Sequence, residues 1–140
     1  MARKTKTIVI EDEGRDKNKM FIINEMSASQ AENWAMRCFL ALARSGVELP
    51  DDLAQRGFAG IAILGLKALS QMNFYEAEPL LKDMMDMVSF VPDPAKPSIK
   101  RGYGGVGPII ESDIEEVRTR LMLRKEMLGI HVDFSIADIR

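Results

Sequence analysis

Reactive side chains are scarce in this chain, which has one cysteine, one histidine and one tryptophan among 140 residues. A lone cysteine cannot close an intramolecular disulfide, and zinc or iron–sulfur ligation by the thiolates of one chain is excluded by count. A reducing cytoplasm is the expected setting. Charge of one sign is lacking too: 19 Lys and Arg against 21 Asp and Glu leave a formal net charge of -2. No whole-protein field would draw the chain to nucleic acid or to an anionic membrane.

Long hydrophobic runs are also missing. The N-terminal stretch offers only Ile8, Val9 and Ile10 before acids intervene, too short for the apolar region of a secretory signal. The longest uncharged stretch, Gly57 to Leu66, falls well short of the roughly 20 residues a membrane-spanning helix needs. It reads as a buried helix, and no membrane partner is expected.

Signatures of catalysis are absent as well. No serine sits in a G-x-S-x-G elbow, and no acidic cluster has the spacing of an EF-hand or a metalloprotease. A thiol–imidazole pair of Cys38 and His131 would have to join the first helix to the far C-terminal region; a core cysteine and a surface or packing histidine are the simpler reading. The glycines of RGYGGVGP, residues 101–108, are followed by no G-K-[ST], so a flexible loop is preferred to a phosphate cradle. Arg118, Arg120, Arg124 and Lys125, with Lys100 and Arg101, could gather against phosphates, but Glu115, Glu116 and Glu126 are interleaved and favour a solvated helix face. Neither an enzyme, a metal nor a cofactor is expected, and nucleic acid is not an expected partner.

What is present is helical patterning behind a short extended segment. Thr5–Ile10 and Met20–Ile23 are β-branched or aromatic runs separated by a polar, glycine-containing stretch, as in a hairpin. Ser29 and Glu32 have capping-box spacing, and Ala31, Trp34, Ala35, Cys38, Phe39 and Leu42 recur at three- and four-residue steps until Ser45 and Gly46 stop the helix. Pro50, Asp51 and Asp52 start a second helix that runs to about Met72. Pro79 opens a third with Leu80, Leu81, Met84, Met87 and Val88 as its apolar stripe, ended by Pro92, Pro94 and Pro97. Ser112 and Glu115 open a fourth, with Ile114, Val117, Leu121 and Leu128 on one side and Gly129 at its close.

These elements predict a mainly α fold, a three- or four-helix domain with a small N-terminal β-hairpin. The single domain divides into an extended segment over 1–26, a helical core over 27–91, a Pro/Gly-rich loop over 92–110, a C-terminal helix over 111–129 and a tail over 130–140. Ten methionines are the most unusual feature of the composition, dense in KDMMDMVSF between Lys82 and Phe90. Methionine is flexible and polarizable, so such a cluster suits a surface that accommodates varied apolar partners; filling a core is its commoner use.

Several landmarks recur together. They are Glu25, Met26 and Ser27 at the end of a strand-like segment; Glu32, Trp34, Ala35 and Arg37 on the helix that follows; Gly46 with Pro50; Leu80 and Leu81 leading into Met84 and Met85; and the stretch LRKEMLGIHVDF with Leu123, Arg124, Glu126, Leu128, His131 and Phe134. In these, over about residues 21–134, the chain resembles the tail assembly chaperones of long-tailed bacteriophages. The resemblance implies a largely helical, non-enzymatic protein of the host bacterial cytoplasm. It would bind the tape measure protein, with the tail tube protein as a further partner, assist tube polymerisation and be absent from the mature virion; a homo-oligomer is left open. Met84, Met85, Met87 and Phe90 are then the expected partner surface, supported by Arg124, His131 and Phe134. The alternatives are a structural component of the virion, at the head–tail joint or baseplate, and a small nucleic-acid-binding regulator.

Overall fold

The computed structural model describes residues 3–46 and 69–139, the last eight of these as backbone only. Two β-rich runs do form a hairpin, β1 (Thr5–Val9) and β2 (Met20–Asn24), in a register that sets Ile8 opposite Phe21 and Lys6 opposite Ile23. The hairpin is not an appendage. A third strand, β3 (Val88–Val91), pairs with β2, and a two-residue β4 (Arg101–Gly102) pairs with β3, giving an antiparallel sheet of order β1-β2-β3-β4.

The expectation of a mainly α fold is therefore corrected: this is a mixed fold, three described helices packed with a four-stranded antiparallel sheet. Its reason lies in β3. The predicted third helix was carried through Met87 and Val88 because apolar residues keep recurring there. The helix instead ends at Met85, and Val88, Ser89, Phe90 and Val91 are all buried in the strand that follows. A strand covered on both faces has no alternating signature to separate it from a helical run.

Helix α1 (Ala28–Arg44) buries Trp34, Ala35, Cys38, Ala41 and Leu42 along one face and ends at Ser45, with Gly46 at φ 79°. Its cap is Ser27, not Ser29. The Ser27 hydroxyl accepts from the Gln30 backbone N–H at 3.3 Å while the Gln30 side chain accepts from the Ser27 N–H at 3.2 Å. The second predicted helix lies outside the described residues except for its end, where Leu69 and Met72 are buried. Helix α2 (Phe74–Met85) begins five residues before Pro79, capped by Asn73, whose side chain accepts from the Tyr75 N–H at 2.9 Å. Pro79 denies the Tyr75 carbonyl its helical donor, and because Tyr75 is exposed water can serve instead.

Helix α3 (Val117–Ile139) follows a 3-10 turn, Glu111–Asp113. The Ser112–Glu115 capping box does not form. The cap comes from Asp16 in the hairpin loop, whose carboxylate accepts from the backbone N–H groups of Glu115 and Glu116, at 2.9 Å each for the shorter bonds. Nor does Gly129 close the helix: its backbone continues to Ile139, with Ile130 and His131 buried, so the expected tail is helical. The buried stripe is Leu123, Met127, Leu128 and Ile130, whereas Val117 and Leu121 face outward.

The core lies where α1, α2 and α3 meet the sheet. Phe21 and Phe90 face one another with ring centroids 5.2 Å apart, and the Arg101 guanidinium lies 5.3 Å from the Phe90 ring centre, continuing the same row. The Trp34 indole N–H donates to the Leu80 carbonyl at 2.9 Å and ties α1 to α2. Burying a side chain such as Phe21 or Ile23 stabilises the fold by about 1.5–3 kcal/mol each. No described helix is long and apolar enough to cross a membrane.

Candidate binding groove

A two-lobed groove opens between α2, α3 and the segment following β3. Its larger lobe, about 790 Å³, is lined by Phe74, Leu81 and Met85 from α2, Tyr103 and Ile109 from the β4 loop, and Arg120 and Arg124 from α3. The smaller, about 320 Å³, is lined by Leu69, Met72, Ala77 and Leu121. Phe74, Leu81 and Arg124 line both lobes. Among the lining residues, Phe74 is 62 % exposed and Leu121 50 %. A groove of this size and apolar lining can seat another molecule's hydrophobic side chains.

Local chemistry builds the walls. On α2, Phe74, Leu81 and Met85 follow one another at helical steps of seven and four, which sets them along one flank. The opposite wall belongs to the loop expected over 92–110, in which the two-residue β4 is the one strand and hydrogen bonds close the turn after it. The Gly102 N–H donates to the Gly107 carbonyl at 2.9 Å, the Val106 N–H to the Lys100 carbonyl at 3.0 Å, and the Ser89 hydroxyl to the Tyr103 carbonyl at 2.6 Å. Gly102 is required here, since at φ 89° a Cβ would lie 2.5 Å from the Val88 carbonyl oxygen. The segment leading to α3 is pinned by Asp113, which accepts from the Arg101 guanidinium and from the Ile110 N–H at 3.0 Å. Burial pushes the Asp113 carboxyl up, but the Arg101 and Ile110 bonds outweigh it and hold the group below the usual carboxylate range.

The expected partner-binding residues divide sharply. Met85 and Arg124 line the groove. Met84, Met87 and Phe90 are buried in the core, so the expectation that they present a partner surface is corrected: helical and strand periodicity turn these three inward and leave Met85 half-buried at the core's edge. His131 is also in the core. Its Nδ1–H donates to the Met127 carbonyl at 2.9 Å and its Nε2 accepts from the Met26 N–H at 3.1 Å, a role in packing α3 against the β2–α1 junction. Phe134 lies on the C-terminal stretch of α3, described as backbone. Sequence reasoning missed Phe74, Leu81, Tyr103, Ile109 and Arg120; the proline at 79 drew the start of α2 too late to place Phe74 on it.

Elsewhere the reactive groups are occupied. Burial pushes the Cys38 thiol up to about 12, where it is neither nucleophile nor metal ligand at neutral pH. A polar hollow between α1 and α2, lined by Met26, Asn33, Arg37 and Asp83, is bridged by the Arg37–Asp83 ion pair. The basic residues weighed as a phosphate-contacting patch have separate partners: Arg101 is bound to Asp113, Arg118 donates to the Glu13 carbonyl, and Arg120 and Arg124 line the groove. Among the described residues no three His, Cys, Asp or Glu side chains converge as a metal site would require. No known protein family matches the chain, and no curated protein or solved structure does either.

Proposed function

We propose that this protein is a non-catalytic tail assembly chaperone of a long-tailed bacteriophage, acting in the host cytoplasm. It holds apolar helical segments of the tape measure protein until tail tube subunits cover them, and it leaves before the virion is complete. The observation that carries this reading is the pair of adjoining pockets that share Phe74, Leu81 and Arg124, the larger lined also by the adaptable Met85. A tape measure is a long helical chain that exposes apolar surface before it is enclosed, and an amphipathic helix laid in a hydrophobic groove is a common way to shield one. The resemblance of the sequence landmarks to those of these chaperones is what supports the biological context, which a groove alone does not supply.

Co-expression tests it. A tape measure protein from the same phage should become more soluble and co-purify with this chain; unchanged solubility without co-purification would count against the reading.

One observation favours a second reading, a permanent component of the virion. Strand β1 is an edge strand with Thr5, Lys6, Thr7 and Val9 exposed, a place where a neighbouring subunit could add a strand. Mass spectrometry of purified particles separates the two, since a permanent component would be present in stoichiometric amount.

A further inference from the structure

The two arginines of the groove differ from four others on the surface. Arg15, Arg37, Arg44 and Arg101 each reach a carboxylate. Arg120 and Arg124 are half-buried, and among the described residues neither meets a carboxylate within ion-pair distance; the nearest polar contact of the Arg124 guanidinium is a long bond, 3.4 Å, from its Nε to the Leu81 carbonyl. Burial, then the neighbouring Arg120, lowers the pKa of Arg124. Two like charges thus stand partly stripped of water and repel each other in the free protein, a cost that an anion seated between them would relieve.

Their placement restricts that anion. Four residues apart on α3, the two arginines are stacked one turn from each other, about 6 Å along the helix axis. Both line the larger lobe beside its apolar residues, and Arg124 also lines the smaller one. The facing edge on α2 carries Glu78, while Lys82 and Asp86 neutralise each other at 3.1 Å. A nucleic-acid backbone would meet Glu78 and a hydrophobic floor, so its phosphates are poorly matched. An open groove with one basic flank and one acidic residue opposite matches a helix that is apolar below and acidic along one border.

We infer that Arg120 and Arg124 receive two carboxylates, one helical turn apart, on an amphipathic helix of a protein partner whose apolar side fills the groove. This rests on the chaperone reading and specifies which segments of a partner chain are gripped: apolar stretches bordered by Glu or Asp at four-residue spacing. Charge-assisted, bidentate hydrogen bonds from guanidinium to carboxylate would fix the register of a helix that the apolar walls alone would let slide.

The test uses the full chain and three synthetic amphipathic peptides with one common Leu/Ala face, bordered at two positions one turn apart by Glu, by Gln or by Lys. Fluorescence anisotropy should show the Glu peptide binding about tenfold more tightly than the Gln peptide, with the Lys peptide weakest. The combined Arg120→Gln and Arg124→Gln variant should bind Glu and Gln peptides equally, while the Arg120→Lys and Arg124→Lys variant, which keeps the charge, should retain a reduced preference. Equal binding of Glu and Gln peptides by the unaltered protein, a preference for Lys, or no peptide binding would overturn the inference. So would tight binding of dodecanoate in place of any peptide, which would give the arginines to a fatty acid. Co-purification with the tape measure protein is read separately, so loss of the carboxylate preference with retained co-purification removes this inference alone.

Discussion

The Nε2 atom of His131 accepts the backbone N–H of Met26 at 3.1 Å, joining α3 to the junction of β2 and α1 across 105 positions of sequence. With Nδ1–H given to the Met127 carbonyl, the ring is held neutral in one tautomer, and burial, the largest influence, lowers its pKa despite the Met127 bond.

A depressed histidine pKa has a definite sign. The unfolded chain binds a proton near pH 6.5 and the folded one only below that, so this stability is present above pH 6.5 and is lost as pH falls through the folded value. Urea unfolding should give a midpoint that declines below pH 6.5. His131→Phe should flatten that decline and cost about 1–3 kcal/mol at pH 7.5 by leaving the Met26 N–H without its acceptor.

Asp16 acts in a lower window. Burial pushes its carboxyl up, yet the Glu115 N–H, the Lys19 ammonium, the Thr119 hydroxyl and the Glu116 N–H together bring it down to about 2 from 3.8. Its stabilisation is full above pH 3.8 and is lost as pH falls through about 2. Asp16→Ala should remove the α3 cap at a cost of about 1–2 kcal/mol at neutral pH, and circular dichroism melts should show the variant less sensitive than the parent between pH 4 and pH 2.

Adjacent methionines should behave oppositely. Met84→Ala leaves a hole in the core and should cost about 2–5 kcal/mol in chemical denaturation. Met85→Ser, at the groove, should cost well under that and weaken partner binding instead. Equal destabilisation by both would show that Met85 is packed as tightly as its neighbour.

Trp34→Phe leaves a smaller ring in the core and removes the indole N–H that donates to the Leu80 carbonyl at 2.9 Å. A loss of about 1–3 kcal/mol is expected from the unfilled space and the lost bond together, read as a lower urea midpoint with an unchanged slope.

Much of the local structure was legible because its causes are local. The β-branched runs at Thr5–Ile10 and Met20–Ile23 gave the hairpin, and the three- and four-residue spacing from Trp34 to Leu42 gave the inner face of α1. What escaped has distant causes. β3 is a strand because β2 is there to pair with it and both its faces are covered, and α3 starts at Val117 because Asp16, about a hundred positions away, supplies the cap. Gly129 reads as a stop, yet the burial of Ile130 and His131 outweighs roughly 1 kcal/mol of lost helix propensity. Of the methionine-dense segment, Met84, Met87 and Phe90 are buried and Met85 lines the groove. Which methionine faces outward depended on where the helix ended, and only Met85 and Arg124 of the expected set line it.

The central claim, that a partner's apolar helix occupies the groove, is tested most directly by methyl NMR of protein labelled at its ten methionines. On addition of tape measure segments, the Met85 signal, assigned through Met85→Leu, should shift strongly while the buried Met84 and Met87 signals move little. An unmoved Met85 resonance in a sample that demonstrably binds the partner would contradict the account.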